Sequence, residues 1–155
     1  MHSYSIKKKF KCEYAHRLFK LVGTESACQN LHGHSAKIEV ELFTTKLDDN
    51  DMVIDFTKLK PIQDWLDKNF DHATILNEED YDMINALNSV INKNKCLKPL
   101  YLLPCDPTAE EFCKVIIRHA ILPLIKKESL KINKVKVIFY ETKNNCASFE
   151  EEILG

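Results

Sequence analysis

The sequence predicts an α+β domain with a mainly antiparallel sheet. Three observations lead there. Strict apolar–polar alternation marks strands toward both ends of the chain. Helical stripes fill the middle. The length of 155 residues suits one core and is short for two.

The first strand is expected from about Ser5 to His16, where Ile6, Phe10, Cys12, Tyr14 and His16 share one parity, interrupted by Lys8. A looser segment spans about Val22 to Leu31. In the second strand Ala36, Ile38, Val40 and Leu42 alternate with Lys37, Glu39 and Glu41, which describes a sheet with one wet face. Asp48 to Asp51 marks a turn, and Met52 to Phe56 a short strand or extended piece. A helix is predicted to begin between Thr57 and Lys60, with Leu59, Ile62, Leu66 and Phe70 as its stripe and Pro61 in its first turn. A second is predicted over Glu78 to Ile91, capped by Asn77. Asn92 to Cys105 reads as turn, short extended segment and loop.

Thr108 and Glu111 stand in capping-box relation at the start of the longest helix. Its stripe is expected to run Phe112, Val115, Ile116, His119 and Leu122, and Pro123 to bend or end it. Val135, Val137, Phe139 and Glu141 then share a strand face. A turn at Lys143 to Asn145 leads to a last strand near Cys146 to Glu150. No internal repeat or low-complexity segment is present.

Composition excludes several functions. The chain carries 22 basic and 23 acidic side chains, a net charge of -1, whereas nucleic-acid binding calls for a basic surface. Lys7, Lys8 and Lys9 fall on both faces of a strand and read as a solvated edge. The apolar runs are too short to span lipid, and the N-terminal residues lack the features of a signal peptide, so a cytoplasmic protein is expected. The six cysteines (12, 28, 96, 105, 113 and 146) form no C-x-x-C pair. They are expected to be thiols, mostly buried, and give no zinc-finger pattern. Three glycines in all argue against a glycine-rich nucleotide-binding loop.

The chemistry-bearing residues concentrate near His32-Gly33-His34. Two residues apart at the head of a strand, His32 and His34 point to one face, that of Ala36 and Ile38. His16 closes the first strand on the parity of Phe10 and Cys12. Two antiparallel strands bring all three rings around one metal, leaving a fourth tetrahedral position open. Spacing alone leaves turn histidines as the alternative, and H-x-H by itself is a weak signal. Gly33 removes a side chain where the cluster is crowded. His2 is expected to fray, and His119 to be a packed, hydrogen-bonded histidine. Cys28 lies in a polar loop, where a nearby cation lowers a thiol's pKa; an incidental loop cysteine is the alternative. Asp71 precedes His72, and a carboxylate beside an imidazole makes a competent base, although adjacent side chains need not touch. Glu141 places a carboxylate on an apolar strand face, where it needs a partner or a ligand. A guanidine-like edge such as that of a pterin or guanine supplies paired N–H donors, with Thr142 beside it. An ordinary carboxylate at a strand end is the other reading.

Six segments, in order and spanning nearly the whole chain, resemble the 6-pyruvoyl-tetrahydropterin synthase / QueD family. They are FKCEYAHRL from Phe10 to Leu18, CQNLHGHS from Cys28 to Ser35, MVIDF from Met52 to Phe56 with Leu59 and Lys60, FDH from Phe70 to His72 with Leu76 and Asn77, PTAE from Pro107 to Glu110, and Glu141-Thr142. The resemblance implies zinc (Zn2+) held by His16, His32 and His34, a catalytic trio of Cys28, Asp71 and His72, and a pterin anchor at Glu141 with Thr142 beside it. Glu110 matches a family glutamate but sits by the capping box and is left outside the chemistry. The implied fold is the tunnelling fold (T-fold), a four-stranded antiparallel sheet with helices packed on one face. Subunits of that family join as homohexamers, dimers of trimers with sites between subunits. The implied substrate is 7,8-dihydroneopterin triphosphate. The short spacing from Cys28 to the histidine pair resembles the bacterial branch, which makes 6-carboxy-tetrahydropterin on the way to queuosine. The animal-type pyruvoyl product and a non-catalytic zinc- and pterin-binding protein are the alternatives. Arg17, Lys20 and Lys37 are the triphosphate candidates by proximity to the motifs. The chain departs from the pattern at Phe70, where leucine is usual, at Cys12 and Tyr14, and in a longer central segment at about 77–105.

Overall fold

The computed structural model describes residues 2–153. Strand β1 (Tyr4–His16) and strand β2 (His32–Thr44) pair antiparallel along their whole lengths, from Tyr4 opposite Thr44 to His16 opposite His32. Two 3₁₀ turns, Phe19–Leu21 and Ala27–Gln29, lie in the loop between them. After a third, Phe56–Leu59, come α1 (Lys60–Asn69), β3 (Ala73–Asn77), α2 (Tyr81–Ile91), β4 (Tyr101–Leu103) and α3 (Ala109–Ile116). A π-helical turn (Ile117–Ile121) runs on into α4 (Leu122–Lys127), and β5 (Lys134–Tyr140) and β6 (Cys146–Glu152) complete the fold.

The sheet has six strands in the order β4-β3-β1-β2-β5-β6, not the four expected. The antiparallel part is β1, β2, β5 and β6; β3 and β4 extend it in parallel, making the sheet mixed. The reason β3 escapes a sequence pattern is physical. Four of its five residues are buried, and a strand covered on both faces shows no alternation. Asn77 is therefore the last residue of β3 rather than a helix cap, and α2 begins at Tyr81. Met52 to Asp55 is irregular, with a bend at Val53, and pairs with no described strand. It leads into the third 3₁₀ turn, where the Asp55 carboxylate accepts the Thr57 N–H at 2.8 Å.

The core lies between one sheet face and the helices. Phe10, Cys12, Tyr14, Ile38, Val40 and Leu42 are buried there, against α1 and α3. The opposite face is wet, with Lys7 3.3 Å from Glu39 and 3.7 Å from Glu41. All six cysteines are free. Only Cys12 and Cys113 are buried, while Cys28, Cys96 and Cys146 are exposed, so the expectation of mostly buried thiols fails where loops and strand ends surface.

Thr108 caps α3, its hydroxyl accepting the Glu111 N–H at 3.3 Å. From Ala109 to Ile125 the buried positions recur every four residues: 109, 113, 117, 121 and 125, with 112, 116, 120 and 124 beside them. A continuous α-helix repeats every 3.6 residues and would carry this stripe off the core. The π-helical turn takes in an extra residue and restores the phase. His119 accordingly faces solvent instead of packing, and Ala120 and Ile121 are buried in its place. Pro123 follows directly on the π-helical turn, and the helical run continues through it to Lys127 rather than ending there.

Helix α2 contributes no buried residue. It is tethered by its cap residue Asp80, fully buried, which accepts two hydrogen bonds of 2.6 Å from the Arg17 guanidinium. Arg17 thus has its fork engaged within the chain.

Phe112 stands at the centre of the core, with ring centroids 5.2 Å from Tyr14 and Phe70 and 5.0 Å from Phe139. Phe112→Ala should cost about 3–5 kcal/mol in urea unfolding. His119→Ala should change stability by less than about 0.5 kcal/mol. Comparable losses at both positions would contradict the phase assigned to this helix.

Candidate metal centre and adjoining cleft

The β1–β2 register builds the site. It sets His16 opposite His32 and Tyr14 opposite His34 at the open end of the pair. The ligand-competent nitrogens of His16, His32 and His34 all lie within 4.8 Å of one another. His16 is 2 % exposed, and burial pushes its imidazole down to about 4 despite the Pro107 carbonyl it bonds. Its ring is neutral at pH 7.

Hydrogen-bond partners fix which nitrogen faces inward. His16 Nδ1 lies 2.7 Å from the Pro107 carbonyl oxygen, and His32 Nδ1 lies 2.7 Å from that of Asn30. A carbonyl only accepts, so each Nδ1 carries the proton in the neutral ring. Each Nε2 then presents a lone pair, and these two nitrogens stand 3.1 Å apart. Facing lone pairs repel unless a cation lies between them. Ligands about 2.0–2.1 Å from a tetrahedral metal are about 3.3 Å from each other, so the observed separation suits shared coordination. The carbonyls holding the outer nitrogens are the usual second support of a metal-ligating histidine.

Gly33 is required here for a different reason from crowding among the rings. A Cβ at Gly33 would lie 3.0 Å from the Tyr14 carbonyl oxygen, a close approach across the ladder that only glycine makes without displacement.

Glu141 follows β5 and is half-buried beside the trio. Its carboxylate accepts from the Tyr14 hydroxyl at 3.2 Å and lies 3.6 Å from His16 Nε2. The Tyr14 ring packs against His16 and His34. Burial first, and the Glu141 charge second, push the Tyr14 hydroxyl strongly upward, so it stays a donor. Tyr14 was not singled out for chemistry by its sequence, although it shares the parity of His16. A cleft of about 350 Å3 opens beside Glu141, lined also by Leu18, Thr108, Glu110 and Cys146. Glu110 thus belongs to the cleft wall as well as to the first turn of α3. Thr142 instead lines a depression of about 450 Å3 with Lys9, Lys37 and Lys143. Its hydroxyl accepts the Asn145 N–H at 3.1 Å and braces the β5–β6 turn.

Cys28 is exposed in the second 3₁₀ turn, and its carbonyl accepts the Leu18 N–H at 2.9 Å. That bond ties the cysteine's backbone to the segment just after His16. Asp71 and His72 do touch: Asp71 Oδ2 is 2.7 Å from His72 Nδ1. Asp71 Oδ1 accepts the Glu13 N–H at 2.8 Å. Burial raises the Asp71 carboxyl, but the Glu13 N–H, His72 and the Lys98 charge outweigh it and hold the group below its ordinary value. The parallel register, Tyr14 with Ala73, sets His72 level with Glu13. That is three residues short of His16, or roughly 10 Å along a strand at about 3.3 Å per residue. Among the described residues, no hydrogen bond or ion pair joins Cys28 or His72 to the three histidines. One chain gathers His16, His32, His34 and Glu141, and leaves the Asp71–His72 pair apart.

The family described as 6-pyruvoyl tetrahydropterin synthase matches residues 5–152. The chain belongs to this family. Among its relatives, the 6-carboxy-5,6,7,8-tetrahydropterin synthase of Aquifex aeolicus is 31% identical over 162 residues, covering 96% of this chain and 99% of that protein. The enzyme of the same name from Rickettsia felis is 29% identical over 126 residues, covering 81% and 86%. An uncharacterized protein of Wolinella succinogenes has the same fold, with a TM-score of 0.78, 21% identity and coverage of 98% and 100%. The 6-pyruvoyl tetrahydropterin synthase of Plasmodium falciparum also shares it, with a TM-score of 0.71, 18% identity and coverage of 97% and 99%. The T-fold expectation therefore holds, with helices packed on a mixed six-stranded sheet. Among the described residues, no helix is long and apolar enough to cross a membrane.

His72 has φ +55°, a left-handed conformation that L-residues enter at a cost of roughly 1–2 kcal/mol. His72→Gly should therefore be about 1 kcal/mol more stable than His72→Ala in urea unfolding. Equal stability of the two variants would remove the case for backbone strain at this residue.

Proposed function

We propose that the protein is a zinc-dependent 6-carboxy-5,6,7,8-tetrahydropterin synthase. Its reaction converts 7,8-dihydroneopterin triphosphate to 6-carboxy-tetrahydropterin, acetaldehyde and triphosphate. The observation that carries this reading is the pair of imidazole Nε2 atoms 3.1 Å apart, with both outer nitrogens committed to carbonyls, beside a cleft holding a half-buried carboxylate. The names of the relatives at 29–32% identity and the short spacing from Cys28 to His32 favour the carboxy product over the pyruvoyl one.

In this reading His16, His32 and His34 hold zinc, which fits three imidazole nitrogen donors. Bound there, the ion supplies Lewis acidity to oxygens of the substrate side chain. Glu141 accepts the paired N–H donors of the pterin ring and fixes its orientation, with Thr142 bracing the turn next to it. Cys28 takes a side-chain proton as thiolate. His72, with Nδ1–H held by Asp71, presents Nε2 as the second proton acceptor. Because Asp71 and His72 stand apart from the histidine trio in one chain, they serve the site of a neighbouring subunit. A homohexamer, two trimers with sites between subunits, provides that arrangement.

Incubation of the zinc-loaded protein with 7,8-dihydroneopterin triphosphate, read by mass spectrometry, should yield acetaldehyde and the 6-carboxy product. A pyruvoyl product without acetaldehyde would select the biopterin-type reaction. No turnover with zinc and pterin bound would reject both. Glu141→Ala should weaken pterin binding roughly 10- to 100-fold, the loss of charge-assisted hydrogen bonds of ~1.5–3 kcal/mol, while zinc content stays unchanged. Unaltered pterin affinity in calorimetry would remove Glu141 as the ring anchor.

A further inference from the structure

The segment between β3 and α3 reaches back to the Asp71–His72 pair through one side chain. Lys98 Nζ donates to the Asp67 carbonyl at 2.5 Å and to the Asp71 carbonyl. Asp67 lies in the last turn of α1, where backbone carbonyls lack partners within the helix and carry partial negative charge. Asp71 is the residue whose side chain holds the His72 ring. One ammonium therefore bridges the helix end and the turn that follows it. Among the described residues Lys98 forms no ion pair, and these two carbonyls are its partners.

The route that brings Lys98 there is specific. After α2 the chain reverses at Asn94, whose side chain accepts the Cys96 N–H at 3.0 Å and whose carbonyl accepts the Leu97 N–H at 3.1 Å. Beyond Pro99, β4 pairs in parallel with β3, Ile75 with Tyr101. Extended three residues back, that register sets Lys98 beside His72. The His72 side chain is 77% exposed, so little packing orients its ring. Its orientation rests on Asp71 and on a left-handed backbone turn, and such a conformation persists only when its surroundings over-determine it. The Glu13 carbonyl, which accepts the His72 N–H, secures the turn on one side. Lys98 secures it on the other, and its charge also favours the ionised Asp71.

We propose that Lys98 is a positioning residue for the Asp71–His72 pair, its ammonium clamping the end of α1 so that the imidazole is presented in one orientation. This deepens the catalytic reading above and rests on it for the role of His72. It gives the longer central segment a task that its unburied helix α2 does not explain.

The test uses the full-length, zinc-loaded protein with K98M, which keeps the length of the side chain and removes its charge and donors. Nitrogen–proton NMR of the His72 ring should show a single Nδ1–H form in the unsubstituted protein, averaged between tautomers in K98M. The kcat for 7,8-dihydroneopterin triphosphate should fall roughly 10- to 100-fold with KM and zinc content unchanged, the effect of a misaimed group. An unchanged His72 spectrum with unchanged kcat overturns the proposal. So does a fall in kcat that tracks lost zinc or lost fold while the His72 spectrum is unaltered. Should K98M not fold, K98Q keeps a neutral donor, and the same spectrum and kcat decide, wild-type values overturning the proposal. Should the unsubstituted protein not turn over this substrate, the functional reading fails separately, and the NMR comparison alone supports or overturns the positioning role.

Discussion

The β1–β2 ladder is the constraint on which the rest depends. Thirteen residues of each strand pair without a bulge. Side chains alternate with a period of two, so a slip of one residue would turn the whole apolar set to water and the histidines to the wrong face. The core alternation therefore also enforces the grouping of the three histidines. Ile38, Val40 and Leu42 hold the register along the strand, and at its open end the same parity delivers His16, His32, His34 and Tyr14 to one side. Gly33 belongs to this constraint, because a side chain there would press on the Tyr14 carbonyl at the point where register matters most.

A second layer of order surrounds the centre and is polar. The Asn77 amide donates to Asp106 at 2.8 Å, and the other oxygen of Asp106 accepts the Lys20 N–H at 3.0 Å. Pro107, the next residue, offers the carbonyl that orients His16. The Arg17–Asp80 pair ties the residue after His16 to the start of α2. A buried pair of this kind is weak evidence for stability, since both charges lose their hydration. Its geometric effect is clear: the end of β1, the end of β3 and the approach to α3 are fixed relative to one another around a single imidazole.

Much of this was legible in the sequence. Alternation identifies β1, β2 and β5, and parity alone places the three histidines on the apolar face. Thr108 announced the start of α3, and the Asp71–His72 adjacency proved to be a direct contact. What escaped has physical causes. The buried strand β3 carries no alternation, and β4 is three residues long, so two parallel strands were absent from the expected sheet. A helical stripe read at 3.6 residues per turn placed His119 inside, because no residue type signals a wide turn. Tyr14 looked like ordinary core, and only the approach of Glu141 revealed its hydroxyl as part of the site. The separation of His72 from the trio depends on strand order, which local pattern does not encode.

The wide turn at Ile117–Ile121 has a consequence for how this chain tolerates changes in length. In a helix each residue turns the remainder by about 100°, so a single insertion ordinarily swings everything downstream out of place. Here the surplus residue is already absorbed, and the buried stripe continues unbroken through Leu124 and Ile125. Deleting one residue from this turn would rebuild a regular helix locally and rotate the whole of α4, together with the chain's approach to β5, away from the core. What looks like a local irregularity is thus a joint of fixed size between two halves of the domain, and shortening it would be felt in a strand that lies beyond the helix.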